Sequence, residues 1–135
     1  MPGHLLVSLI SLLAVLVYLY MGLLVGRARG KYNVAAPAVS GDPNFERAYR
    51  VQMNTLEWLP IFLTSLWLFS FAWGDDRISA AIGLVWIVGR VLYLTGYTQA
   101  PERREIGFMI QAFAGLALLL GALGKVIWMI VQHGV

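Results

Sequence analysis

The chain has 135 residues, of which 59% are hydrophobic and only 13% charged, with a formal net charge of +3 and no cysteine. A single soluble core of this size cannot hide so much apolar surface, so lipid must cover the remainder. The lack of cysteine excludes disulfides, thiolate metal sites and a cysteine nucleophile.

A helix needs about 20 mostly apolar residues to cross a hydrocarbon core of about 30 Å. The first such run, Leu5 to Val25, carries no charge. It lacks a basic stretch before it and is longer than a secretory signal core, so it reads as a retained anchor. The connection that follows, roughly Gly26 to Pro43, contains Pro37, Gly41 and Pro43 and reads as an irregular loop, with Asp42 or Asn44 as a cap for the next helix. The second apolar run is Trp58 to Gly74, extended backwards by a more polar stretch from near Asn44. A short turn, Gly74 to Arg77, makes the second and third helices antiparallel neighbours. The third run, Ile78 to Tyr97, contains one charge, Arg90, and the fourth covers Ile106 to Gly124, with apolar Val126 to Val131 beyond Lys125.

The expectation is therefore an all-α membrane protein, a single domain over residues 1–135, with helices at roughly 5–28, 44–73, 77–99 and 103–131 in up-down order. Helices satisfy their own backbone in lipid, and these runs lack the alternation of barrel strands. Arg27, Arg29, Lys31, Arg47 and Arg50 follow the first helix, and Arg103 and Arg104 follow the third. By the positive-inside rule those two connections are cytoplasmic and both termini lie on the other face. A bacterial inner membrane suits the short chain. Trp73 and Trp128 read as headgroup-belt residues.

Arg47, Arg50, Asn54 and Glu57 fall within one narrow stripe at about 100° per residue. Charge at membrane depth costs at least a few kcal/mol unless paired or wet, so this stripe should face a bundle interior or cleft, and Glu57 should have partners. Two readings are open: a self-satisfied network that fixes helix register, or a ligand site. On the third helix Arg90, Tyr93 and Tyr97 share a face, and Arg104 returns to it if the helix continues past Pro101 with a kink. The tyrosines serve equally well as belt residues, and Arg104 beside Arg103 as a contact for lipid phosphate.

The pattern Glu46-Arg47-x-x-Arg50-x-Gln52-x-Asn54-x-x-Glu57, with Tyr93-Leu94-Thr95-Gly96-Tyr97 and a following arginine, resembles the membrane-associated proteins in eicosanoid and glutathione metabolism (the MAPEG family). The resemblance covers nearly the whole chain in segment order, length and loop placement. It implies a homotrimer of four-helix subunits that bind glutathione between neighbours, in a polar pocket that opens towards the membrane. Carried over by position, Arg29, Arg50, Gln52, Asn54, Glu57, Tyr93 and Tyr97 would hold glutathione as co-substrate, and Arg104 would be catalytic, stabilising the thiolate. The implied activity is glutathione transfer to apolar electrophiles, with lipid hydroperoxide reduction as a further capacity.

Helix geometry adds a constraint. Gln52 lies about 160° from Arg50 around the second helix, so one helix cannot turn both to one subunit's cleft. A site between subunits removes the conflict. The chemistry suits these residues: glutathione has two carboxylates for arginine forks and an α-ammonium for Glu57 with the Gln52 or Asn54 amide oxygens. A guanidinium against sulfur could bring a thiol pKa from about 8.5 to about 6.5, about 2.7 kcal/mol of differential stabilisation. Arginine keeps its own proton while doing so.

Two departures bear on substrate. Gly30 stands where leukotriene-forming relatives resemble one another in having a second arginine, and Trp58 stands where they have tyrosine. Both point to a broad-specificity transferase. The alternatives are a non-catalytic lipid- or fatty-acid-binding scaffold of the same family, against which Arg104 and the full stripe tell, and a small multidrug transporter, which needs an acid on the first helix that this chain lacks. No metal is expected, because His4 and His133 stand far apart in sequence with no acidic neighbours. No phosphate-binding loop or nucleic-acid patch is present in the sequence.

Overall fold

The computed structural model describes residues 2–134. Four helices carry the described chain: α1 (Leu5–Tyr32), α2 (Pro43–Trp73), α3 (Asp76–Gln99) and α4 (Glu105–His133). Short 3₁₀ turns, Pro2–His4 and Pro101–Arg104, precede α1 and α4. Each of the four is long and apolar enough to cross a membrane. They run up and down; α2 and α3 pack on each other and on both outer helices, leaving α1 and α4 on opposite sides of that central pair.

Local chemistry sets the ends. Asp42 caps α2 by accepting from the backbone N–H groups of Asn44 (2.8 Å) and Phe45 (3.4 Å), with Pro43 occupying the first helical position. Gly74 ends α2 at φ +67°, where a side chain would be strained. Asp75 then caps α3 through Arg77 (2.9 Å) and Ile78 (3.2 Å).

One expectation needs correction. The first connection does not begin at Gly26: α1 continues to Tyr32 and ends at Asn33, in the left-handed conformation at φ 56°. Arg27, Arg29 and Lys31 are sound helix formers, and loss of hydropathy does not stop a helix. The third helix ends where expected, and the alternative of a kinked continuation past Pro101 does not occur. It stops at Gln99, Ala100 is extended, and Pro101 opens a separate 3₁₀ turn. The proline restricts the residue before it to extended backbone, so the chain reverses there.

The main core lies between α1, α2, α3 and α4, where Phe62 stacks on Trp86 at 4.0 Å and 7°. Glycines bring α3 and α4 together: a Cβ on Gly89 would overlap the Gln111 backbone, and one on Gly107 would overlap the Tyr93 backbone. This close approach fixes the start of α4 against the Tyr93 turn of α3. At the chain-termini end of the bundle the Asp76 carboxylate accepts from the N–H groups of Leu6 (2.9 Å) and Val7 (3.4 Å) and from the Ser70 hydroxyl (3.4 Å). His4 Nδ1 lies 3.7 Å from the same carboxylate. His4 thus has an acidic neighbour after all, 72 positions away in sequence and brought in because α1 and α3 run parallel and start at the same end of the bundle.

Candidate functional site

At the opposite end, α2, α3 and the start of α4 enclose a cleft of about 290 Å³ lined by Arg50, Asn54, Tyr93, Tyr97, Arg104, Glu105 and Phe108. Three placements create it. Arg50 and Asn54 stand one turn apart on α2. Tyr93 and Tyr97 stand one turn apart on α3, and their rings stack at 5.6 Å and 16°. Arg104 ends the 3₁₀ turn, which carries its guanidinium carbon to 5.4 Å from the Tyr97 ring centroid. Arg104 therefore reaches the tyrosine face through a chain reversal and not through a continued helix.

Beneath the cleft lies Arg90, fully buried. Its Nη1 donates to Asn54 Oδ1 (2.8 Å) and Thr55 Oγ1 (3.2 Å), and its guanidinium carbon sits 5.1 Å from the Tyr93 ring centroid. Arg90 so orients two cleft residues from below. Its Nε and Nη2, together with Gln111 Nε2 and Oε1 and Trp86 Nε1, are buried without a hydrogen-bond partner. Orphaned polar groups in a protein interior are costly, and here they gather under the cleft floor.

A wider recess of about 590 Å³, lined in part by Glu46, Arg47, Tyr49 and Pro101, shares Arg50 and Tyr97 with the first. Arg47 Nη1 lies 3.5 Å from the Gln99 carbonyl, which ties α2 to the end of α3. Among the described residues the one ion pair is His4 with Asp76, so Arg50, Arg104 and Glu57 have no ion-pair partner among them.

Five of the eight expected residues meet in this cleft: Arg50, Asn54, Tyr93, Tyr97 and Arg104. Three do not. Arg29 holds the first connection, donating to the carbonyls of Ala38 (2.7 Å) and Val34 (3.3 Å) with its guanidinium carbon 4.8 Å from the Phe45 ring centroid. Gln52 points to α1, where its Nε2 would lie 3.0 Å from a Cβ placed on Gly22. Glu57 is exposed on the surface of α2 and has no partner among the described residues, against the expectation that the fold would supply one. The self-satisfied network of Arg47, Arg50 and Glu57 is absent among those residues as well.

Sequence reasoning placed Arg90 on the tyrosine face without giving it a role, and it missed Glu105 and Phe108. Phe108 stands four residues after Arg104, one helical turn on, so the spacing that found Tyr97 from Tyr93 would have found it. Trp58, one of the two departures, packs edge-on against Phe108 at 5.9 Å.

The sequence model of the MAPEG family matches residues 7–124. The chain is 46% identical to an uncharacterized protein of Synechocystis over 93% of its length and 90% of that protein's. It is 43% identical to human microsomal glutathione S-transferase 2, over 92% of this chain and 85% of that one. Identity to the leukotriene C4 synthase of Cavia porcellus is 37%, over 88% of this chain and 79% of that one. With its four apolar spans and a match over most of its length, the chain is a multi-pass integral membrane protein and belongs to the MAPEG family.

Proposed function

We propose that this protein is a membrane glutathione transferase that activates glutathione as its thiolate and conjugates it to apolar electrophiles. The observation that carries the reading is the cleft itself, where two unpaired guanidiniums, Arg50 and Arg104, two stacked phenols and the Asn54 amide converge at the edge of the apolar bundle. A tripeptide with two carboxylates, one ammonium and a thiol complements that set. The names of the relatives from human and Cavia porcellus agree with it.

In this reading Arg50 forks a glutathione carboxylate, and the Asn54 amide holds the backbone of the peptide. Tyr93 and Tyr97 wall the pocket, and Arg104 faces the sulfur. A guanidinium there draws the thiol towards the thiolate form, which is the nucleophile. The electrophile reaches the sulfur from the hydrocarbon, where partitioning concentrates it. Attack forms the carbon–sulfur bond and expels the electrophile's leaving group, or adds across its activated double bond. A lipid hydroperoxide offered to the same thiolate would be reduced to its alcohol, one oxygen passing to the sulfur as a sulfenic acid that a second glutathione converts to the disulfide and water.

Arg29, Gln52 and Glu57 enter through a second subunit. Arg29 and Gln52 lie on the α1 side of α2, away from the cleft, and Glu57 is exposed. Joining one chain's cleft to the next chain's α1 side uses two different faces, a heterologous contact that closes into a ring. A ring of three is what the family resemblance implies. The clefts lie at the arginine-rich end, which the positive-inside rule places in the cytoplasm, and a bacterial inner membrane fits the 46% identity to a Synechocystis protein.

The test is the ultraviolet difference spectrum of the purified protein with glutathione at neutral pH, with Arg104→Ala beside it. Thiolate absorbance is expected in the native protein and absent from the variant, with transferase turnover falling about 100-fold, the equivalent of about 2.7 kcal/mol. Glutathione binding without thiolate in either protein would replace the enzyme with a binding scaffold, and absence of binding would sink both.

A further inference from the structure

At the end of the bundle away from the cleft, one cation is held in an unusual setting. Lys125 Nζ lies 4.2 Å from the Trp128 ring centroid and 5.0 Å from that of Trp73. Trp73 is fixed in turn, because its Nε1–H donates to the Gly121 carbonyl at 3.1 Å. Between them lies an open recess of about 390 Å³, lined also by Leu120, Gly121 and Gly124. A Cβ on Gly124 would meet nothing within 4 Å, so the space above this turn of α4 is free.

The membrane position of this recess follows from helix length. Glu105 begins α4, and the twenty steps from there to Lys125 rise about 30 Å, the thickness of a hydrocarbon core. Arg104 and Glu105 thus mark one boundary and Lys125 the other, level with the Asp75–Arg77 turn that Trp73 precedes. Lys125 sits where lipid phosphates lie. Among the described residues it has no carboxylate partner. Leu120, which lines the recess, and Leu116, one turn before it, are 60% and 43% exposed and lead from the recess into the hydrocarbon.

We propose that Lys125, Trp73 and Trp128 form a binding site for the phosphate of an anionic phospholipid, whose acyl chain lies along Leu120 and Leu116. The two indole faces hold the ammonium by cation–π attraction and stop it from sweeping through solvent. The ammonium takes the ring faces that border the recess, so the choline or ethanolamine cation of a zwitterionic lipid would meet a like charge there. A headgroup with net negative charge neutralises Lys125 and brings no second cation. The apolar floor selects a lipid over free phosphate. This site is independent of the glutathione reading and lies at the other end of the bundle.

Native mass spectrometry of the full-length protein in a nonionic detergent tests it, with phosphatidylglycerol, phosphatidylcholine of the same chains, and inorganic phosphate as probes. Phosphatidylglycerol adducts are expected to exceed phosphatidylcholine adducts about fivefold, the effect of one interfacial cation. Lys125→Gln should bring the two lipids level, Lys125→Arg should keep the preference, and Trp128→Ala should weaken it. Transferase activity of Lys125→Gln should match the native protein, which shows that the variant is folded. Equal adducts for both lipids in the native protein, or an undiminished preference in Lys125→Gln, would overturn the site. Displacement of the lipid by inorganic phosphate would overturn its assignment to lipid.

Discussion

The two ends of the bundle treat their polar groups in opposite ways. At the chain-termini end several polar side chains are tied within the fold: Asp75 caps α3, Asp76 binds the first N–H groups of α1, Ser70 donates to Asp76, and Lys125 lies near two indoles. At the other end Arg50 and Arg104 have no ion pair among the described residues, Glu57 is exposed, and Arg90 and Gln111 keep buried atoms without a partner among them. A fold this small has few polar groups to spend at membrane depth, and unpaired charge there is costly. The satisfied end holds the helices in register. The unsatisfied end is where a charged ligand and a neighbouring subunit gain the most, because their contacts replace nothing.

The strongest way to break this contrast is to disturb the backbone contact that frames the open end. In Gly107→Ala the new methyl group would run into the backbone of Tyr93 and Gly89, and backbone cannot step aside as a side chain can. A cost of about 1–3 kcal/mol is expected, from overpacking at a close helix–helix contact. Thermal denaturation in detergent should show it as a lowered midpoint, accompanied by loss of glutathione binding because Tyr93 moves with the contact. A variant as stable as the native protein would mean that α3 and α4 are not locked there.

Arg90→Met sharpens the comparison by separating stability from binding. Removing a buried guanidinium without a carboxylate partner relieves its desolvation, so the melting midpoint should stay close to native. Asn54, however, loses the donor that holds its Oδ1. Glutathione affinity is then expected to fall about tenfold, about 1.4 kcal/mol, by isothermal titration. Equal losses of stability and affinity would make Arg90 a structural residue alone.

How far the sequence carried follows from the range of each signal. The four spans were legible because a long charge-free run in a helix has one physical meaning in lipid. The shared faces of Arg50 with Asn54 and of Tyr93 with Tyr97 were legible because helical spacing is local. Arg104 was not, since its place depends on how the chain turns at Pro101 and only the turn brings it back over Tyr97. The division of Gln52 from Arg50 could be read, while the fate of Glu57 could not. Partners across a fold, or across a subunit boundary, leave no mark in spacing. The Asp76 contacts with Leu6 and Val7 span about 70 positions and were invisible for the same reason.

That last contact gives the smallest effect and the cleanest control. Asp76 acts as a cap supplied from another helix: it serves N–H donors that α1 leaves open at its own start, where His4 makes no side-chain cap bond. Asp76→Ala removes those acceptors, and the cost is expected to be about 1 kcal/mol, as for a lost cap within one helix. The α1 start should loosen while the far end is untouched, since about 30 Å of packed helix separates the two. Hydrogen exchange should therefore rise at Leu6 and Val7, with glutathione binding unchanged. If exchange rises equally around Tyr93 and Tyr97, the two ends are coupled, and the division between an end that sets helix register and an end that binds glutathione would have to be given up.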